Sequence, residues 1–235
     1  MTESEFSNLN YSQNFTNNNS GIFSAERIHS DSAIRAFERM FWAFLFLFDF
    51  RIGVNNVQVD ILPDFIGWIL FATAFGWILE LHSDIKFMRT ISYVLIFLSL
   101  FDLVEIRVPL KKVGSLTFSI SPWFIIGIIT GILTIIVVWK LCGVIMDMAA
   151  TVNNPIIKDR AEFRRNLYIG FIIAIFIAGL VSILIPPLII IAVIVGLPLG
   201  IVVLCLMMGL MKGTANMCRE ETNLSENLPD NYLES

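Results

Sequence analysis

An all-α polytopic membrane protein of about six transmembrane helices is the fold class predicted by three features of this chain. The first is the stretch 167–211, which holds no charged residue and is interrupted only by Pro186-Pro187. A bilayer core about 30 Å thick takes ~20 apolar helical residues, and 167–185 and 188–211 each supply such a run. The second is composition: 56% of residues are hydrophobic and 15% charged, with a mean hydropathy of +0.76, against about 25% charged in soluble domains. The third is an uneven placement of Lys and Arg, which reads as an orientation signal. At 235 residues the chain has room for one helical bundle with short connections and no second globular domain of ordinary size.

The N-terminal tail, 1–24, is polar, with the run Asn17-Asn18-Asn19-Ser20-Gly21, and cannot bury enough apolar area to offset chain entropy. No apolar segment of a cleaved signal follows it, so the first span is expected to direct insertion. Residues 25–39 mix Ile28, Ile34 and Phe37 with charges, which suits a helix at the interface or an extension of the first span. That span, 40–50, is heavily aromatic and short. The second runs 63–81, with Pro63 suited to the first helical turn and Asp64 complementing the helix dipole. The third runs 87–101. The fourth runs 122–148, long enough to carry Lys140 and Asp147 beyond the hydrocarbon. The fifth and sixth are the halves of the uncharged stretch. The membrane domain is thus 25–213, followed by a polar, acidic tail, 214–235.

With both termini cytoplasmic, Arg27, Arg35, Arg39, Lys86, Arg89, Lys158, Arg160, Arg164, Arg165, Lys212 and Arg219 fall on the inner side, with Lys140 near the same face. The outer side keeps only Arg51, Arg107, Lys111 and Lys112. On the outer side, 57–61, 104–108 and 116–121 alternate apolar and polar residues. They read either as a small β-hairpin or three-stranded cap, with 104–108 and 116–121 forming the hairpin and 57–61 at its edge, or as continuations of neighbouring helices.

Charged residues crowd that outer end: Asp49, Arg51, Asp60, Asp64, Asp102, Glu105 and Arg107. Carboxylates sharing a partly desolvated site suit cation or proton handling. The structural reading has Asp60 or Asp64 capping the second helix and Asp49 pairing with Arg51 or Arg107. Asp49-Phe50-Arg51-Ile52-Gly53 and Asp60-Ile61-Leu62-Pro63-Asp64-Phe65-Ile66-Gly67-Trp68 resemble a segment of uncharacterised small multi-pass bacterial membrane proteins. In those, an aspartate-containing span end precedes a Leu-Pro-Asp-Phe-Ile-Gly-aromatic helix start. The resemblance covers the first two spans and implies a bacterial inner-membrane location, with no activity attached.

Small residues recur every fourth position at Gly170, Ala174, Ala178 and Ser182, and again at Gly127 and Gly131 and at Gly196 and Gly200. Such stripes let helices approach closely, within the monomer or between copies. Pro198 inside the sixth span frees the Ile194 carbonyl and favours a kink. Against catalysis, His29 and His82 lie in polar segments without metal-ligand spacing, and Cys142, Cys205 and Cys218 are far apart. No metal site or cofactor is expected, and dispersed basic residues with a net charge of −4 argue against a nucleic-acid partner. The expected partners are the lipid bilayer and a membrane-protein partner or a second copy. The leading expectation is a non-enzymatic accessory or scaffolding subunit; the alternative is a small-solute or ion transporter or channel using the outer charges and the sixth span.

Overall fold

Ala33, Ala36, Phe37, Met40, Ala43 and Phe44 repeat at the three- and four-residue spacing of one helix face. All are buried on α1 (Asp31–Phe46). The computed structural model describes residues 31–47, 51–54, 57–60, 63–102, 104–106, 122–184 and 188–226. Among these are six helices: α1, α2 (Asp64–Trp77), α3 (Ser83–Asp102), α4 (Pro122–Thr151), α5 (Pro155–Leu184) and α6 (Leu188–Glu226). Each packs on its neighbour in sequence, and α6 returns to pack on α1, so the helices form a closed ring.

Several boundaries differ from the sequence-based expectation, each for a local reason. Of the two readings of 25–39, the described part, 31–39, follows the second: it extends the first span as one helix whose apolar stripe continues unbroken into the aromatic run, and that stripe is buried. α2 ends at Trp77 rather than at Leu81: residues 78–81 form a turn closed by the Leu81 amide donating to the Ile78 carbonyl at 2.9 Å. Pro63 stands at the N-cap in extended backbone, and Asp64 is the first residue of the helix. α3 begins at Ser83, four residues earlier than expected, where His82 Nδ1 accepts the Asp84 amide at 3.1 Å.

The largest corrections concern polar segments. Residues 158–165, which precede the expected fifth span, belong to α5. α4 ends in a tight reversal: Asn153 takes a left-handed φ of 53°, while the Asn154 amide reaches the Ala149 carbonyl at 2.8 Å and the Asn153 amide that of Ala150 at 3.2 Å. Asn154 Oδ1 then accepts the Ile157 amide at 3.2 Å, and Pro155 occupies the first helical position. Asn153, Asn154 and Pro155 therefore stop one helix and start the next. Likewise α6 does not stop near residue 213 but runs to Glu226, into the expected tail. Thr214, Ala215, Met217 and Cys218 continue its buried stripe.

Three strands complete the fold: β1 (Arg51–Val54), β2 (Val57–Asp60) and β3 (Val104–Ile106), in the order β1-β2-β3 and antiparallel throughout. The central strand is β2, not the edge as expected, because its hairpin partner is 51–54 across the two-residue Asn55-Asn56 connection, a length suited to a tight turn. The expected partner 116–121 lies outside the described residues.

Burial is lopsided. One continuous core takes Phe37, Met40, Trp68, Phe71, Phe75, Met88, Leu141, Ile145, Met148 and Met211, with Met207 and Leu210 beside them. All of it lies toward the end where α1 and α6 meet. Among the described side chains of 125–136, 162–181 and 194–202, none is buried. At 1.5 Å per residue the 30-residue α4 and α5 and the 39-residue α6 run about 45, 45 and 58 Å, well past α1 and α2 at about 24 and 21 Å. The exposed halves are the overhang. Two helices among the described residues are long and apolar enough to cross a membrane, over Ile125–Thr151 and Ile194–Leu224.

Candidate functional site

The expected outer charge cluster is only partly assembled among the described residues. Arg51 and Asp60 stand directly opposite one another as strand partners, and Glu105 pairs in register with Gln58. Asp64 opens α2 and Asp102 closes α3. Asp49 and Arg107 lie outside the described residues. The backbone thus brings one opposite-charge pair into register, and places Asp64 and Asp102 at helix ends that adjoin the sheet in sequence.

The small-residue stripes have a sharper outcome. A Cβ added at Gly127, Gly131, Gly170 or Gly196 would meet nothing within 4 Å. Ala174 and Pro198 are exposed and Ala178 half-buried, and the Ser182 side chain lies outside the described set. Only Gly200 meets a neighbour, the Phe171 ring at 3.2 Å. Among the described residues, the glycines of these stripes other than Gly200 therefore make no close helix contact within the chain. The close helix approach falls instead at Gly67, where a Cβ would stand 2.9 Å from the Ala43 carbonyl oxygen and 3.0 Å from Leu47 Cδ2. A lone glycine amid aromatics carried no periodic signal for it. α6 runs through Pro198 without a break.

The opposite end, whose basic residues read from sequence chiefly as an orientation signal and secondarily as a contact for anionic headgroups, is where polar side chains meet. Arg39 lies over the Trp77 ring at 4.1 Å and donates to Thr73 Oγ1 at 3.2 Å, tying α1 to α2. Lys140 Nζ reaches Asp84 Oδ1 at 2.8 Å and lies 5.5 Å above Phe87, tying α4 to α3. His82 Nε2 is 3.8 Å from an Asp147 carboxylate oxygen. Arg165 lies over Trp139 at 4.5 Å, and the Arg164 guanidinium occupies the space beside Gly209, 3.6 Å from where a Cβ would stand. Burial, together with Arg160 nearby, pushes the Arg164 guanidinium below its ordinary pKa. Trp77, Tyr93 and Trp139 are exposed at this level. A ring of aromatics with cations above their faces matches the amphipathic girdle found where hydrocarbon gives way to headgroups.

Ser92, Ser99 and Thr214 are buried, and each hydroxyl donates to a carbonyl of its own helix, at 2.9, 3.1 and 3.0 Å. This satisfies the three hydroxyl donors. Among the described residues no group of three or more His, Cys, Asp and Glu is placed to hold a metal ion. No protein-family model, curated protein or solved structure matches the chain.

Proposed function

We propose that this chain is an integral membrane protein crossing the bacterial inner membrane six times with both termini cytoplasmic, and that it acts as a non-enzymatic accessory or scaffolding subunit. The observation that carries the membrane reading is the overhang of α4 and α6. Only 22% of each apolar window is buried within the chain, so in water these faces would expose far more contiguous apolar surface than a soluble monomer tolerates. A bilayer removes that cost. α1 and α2 are short for a span; β1 follows α1 and β2 precedes α2, which on this reading puts the sheet at the outer face, outside the hydrocarbon.

The scaffolding reading rests on the unfilled stripes. Gly127, Gly131, Gly170 and Gly196 leave room for a helix that none of the described residues supplies, and small-residue faces are the common means of close helix approach in lipid. Crosslinking in native membranes at native expression, followed by mass spectrometry, tests it. A partner at near-equal amount supports the subunit role; recovery of the chain alone sinks it. The register of Arg51 with Asp60 keeps a second reading, transport with the outer charges as a mouth. It requires Asp64→Asn to abolish a flux in reconstituted vesicles without lowering the yield of folded protein.

A further inference from the structure

Arg164 and Arg165 sit in the turn before α5 enters its uncharged run at Leu167, and their donors are not fully used. Arg164 Nη1 and Arg165 Nε are both buried and without a hydrogen-bond partner. An unsatisfied buried donor is costly, and more so on a charged group. Three cations of the same end are matched by carboxylates: Arg219 by Glu38, Lys140 by Asp84 and Arg35 by Asp31. Arg164 and Arg165 have no such carboxylate among the described residues, and Arg160 one turn earlier adds like charge beside Arg164.

The two side chains are also held in place. Trp139 supports the Arg165 guanidinium from below, and the absence of a side chain at Gly209 lets the Arg164 fork lie close against α6. Both residues are half-buried, so a rotation of the guanidinium is what presents the unmatched donors to an incoming ligand. Guanidinium forks match the paired oxygens of phosphate. An indole at this depth marks the level of the headgroups, and basic pockets between helices on the cytoplasmic side suit anionic headgroups.

We propose that Arg164 and Arg165 form a binding site for a phosphate group, with the headgroup of an anionic phospholipid as its source. The site rests on the membrane reading given above. On that reading, anionic lipid completes the hydrogen bonding that the chain leaves open between α4, α5 and α6.

The test begins with alkaline carbonate extraction of membranes containing the full chain. Release into the soluble fraction overturns the membrane reading, and the lipid source with it. If the chain is retained, it is purified in a nonionic detergent, and native mass spectrometry and thermal unfolding are followed with phosphatidylglycerol, phosphatidylcholine or inorganic phosphate added. The expected result is a bound phosphatidylglycerol that raises the unfolding temperature, no effect of phosphatidylcholine, and an apparent affinity about tenfold lower or worse in the doubly substituted Arg164→Gln, Arg165→Gln protein. Gly209→Leu keeps both charges, removes no core contact and fills the space beside Arg164; it is expected to weaken binding similarly and keeps the test open if the double variant fails to fold. Lys158→Gln, which removes one exposed positive charge from the same helix, serves as the control for nonspecific charge loss and is expected to bind as the parent does. Saturation by inorganic phosphate alone would keep the phosphate site and overturn its lipid source. Equal phosphatidylglycerol binding by parent, double variant and Gly209→Leu would overturn the site.

Discussion

The Arg219 guanidinium donates to the Glu38 carboxylate at 2.7 Å, joining α6 to α1 across 181 positions of sequence. Both side chains are 51% exposed, so solvent screens the pair and its worth is small. Glu38→Gln is expected to change stability by less than about 1 kcal/mol. Phe37→Ala, one residue earlier and fully buried, is expected to cost roughly 3–5 kcal/mol through lost contacts and the cavity left. Thermal unfolding of both variants in one detergent checks the order; a larger loss for Glu38→Gln would mean the ring is held by charge rather than by packing.

Two sets of glycines are expected to respond oppositely to one methyl group. Gly67→Ala forces its Cβ against the Ala43 carbonyl and Leu47, so α1 and α2 must separate and the protein loses stability despite the better helix former. Gly127→Ala and Gly170→Ala meet open space and should each be neutral or gain up to ~1 kcal/mol from helix propensity. Gly127→Leu and Gly170→Leu add the decisive contrast. Unchanged unfolding of the isolated chain, combined with loss of a crosslinked partner, is the outcome the scaffolding role requires.

The reversal between α4 and α5 offers a backbone test. Asn153→Gly should be neutral or stabilising, because glycine takes positive φ without steric cost. Asn153→Val should cost about 1–2 kcal/mol for forcing a branched side chain into that region. Asn154→Ala removes the acceptor for the Ile157 amide and should cost about 1 kcal/mol. Equal unfolding temperatures for Asn153→Gly and Asn153→Val would sink this account of the turn.

Orientation is open to thiol labelling. Cys142 and Cys218 are buried and Cys205 is exposed, but Cys205 lies within the apolar window of α6. In intact membranes all three should resist a charged, membrane-impermeant maleimide, which needs a hydrated thiolate. Ser4→Cys and Ser235→Cys should react only after the cytoplasmic face is opened. Labelling of either from the outside would reverse the proposed topology.

Much of the helical order was legible because it rests on local chemistry. Pro122 and the Pro186-Pro187 break mark helix boundaries through the missing amide alone, and the alternation at 57–60 and 104–106 marked two of the three strands. What stayed hidden depends on neighbours. Residues 158–165 and 214–226 read as loop and tail because their charges dominate any hydropathy average, while Ile157, Ala161, Ala215 and Cys218 reveal a buried side only once the other helices are in place. Gly67 and Gly127 are the same residue in similar apolar settings, and only the path of α1 makes one a contact and the other a gap. The strand at 51–54 was missed because it follows the aromatic run directly and so read as the end of a span. The unmatched arginines were visible as charges, but their lack of carboxylates is a property of the packed bundle.

α6 is one uninterrupted rod of 39 residues, about 58 Å long. A rod of that length pivoting by about 10° at one end carries its other end through about 10 Å. Met207 to Cys218 of this rod are packed into the core, so the core is its fixed end and the unburied half toward Leu188 is the end that sweeps.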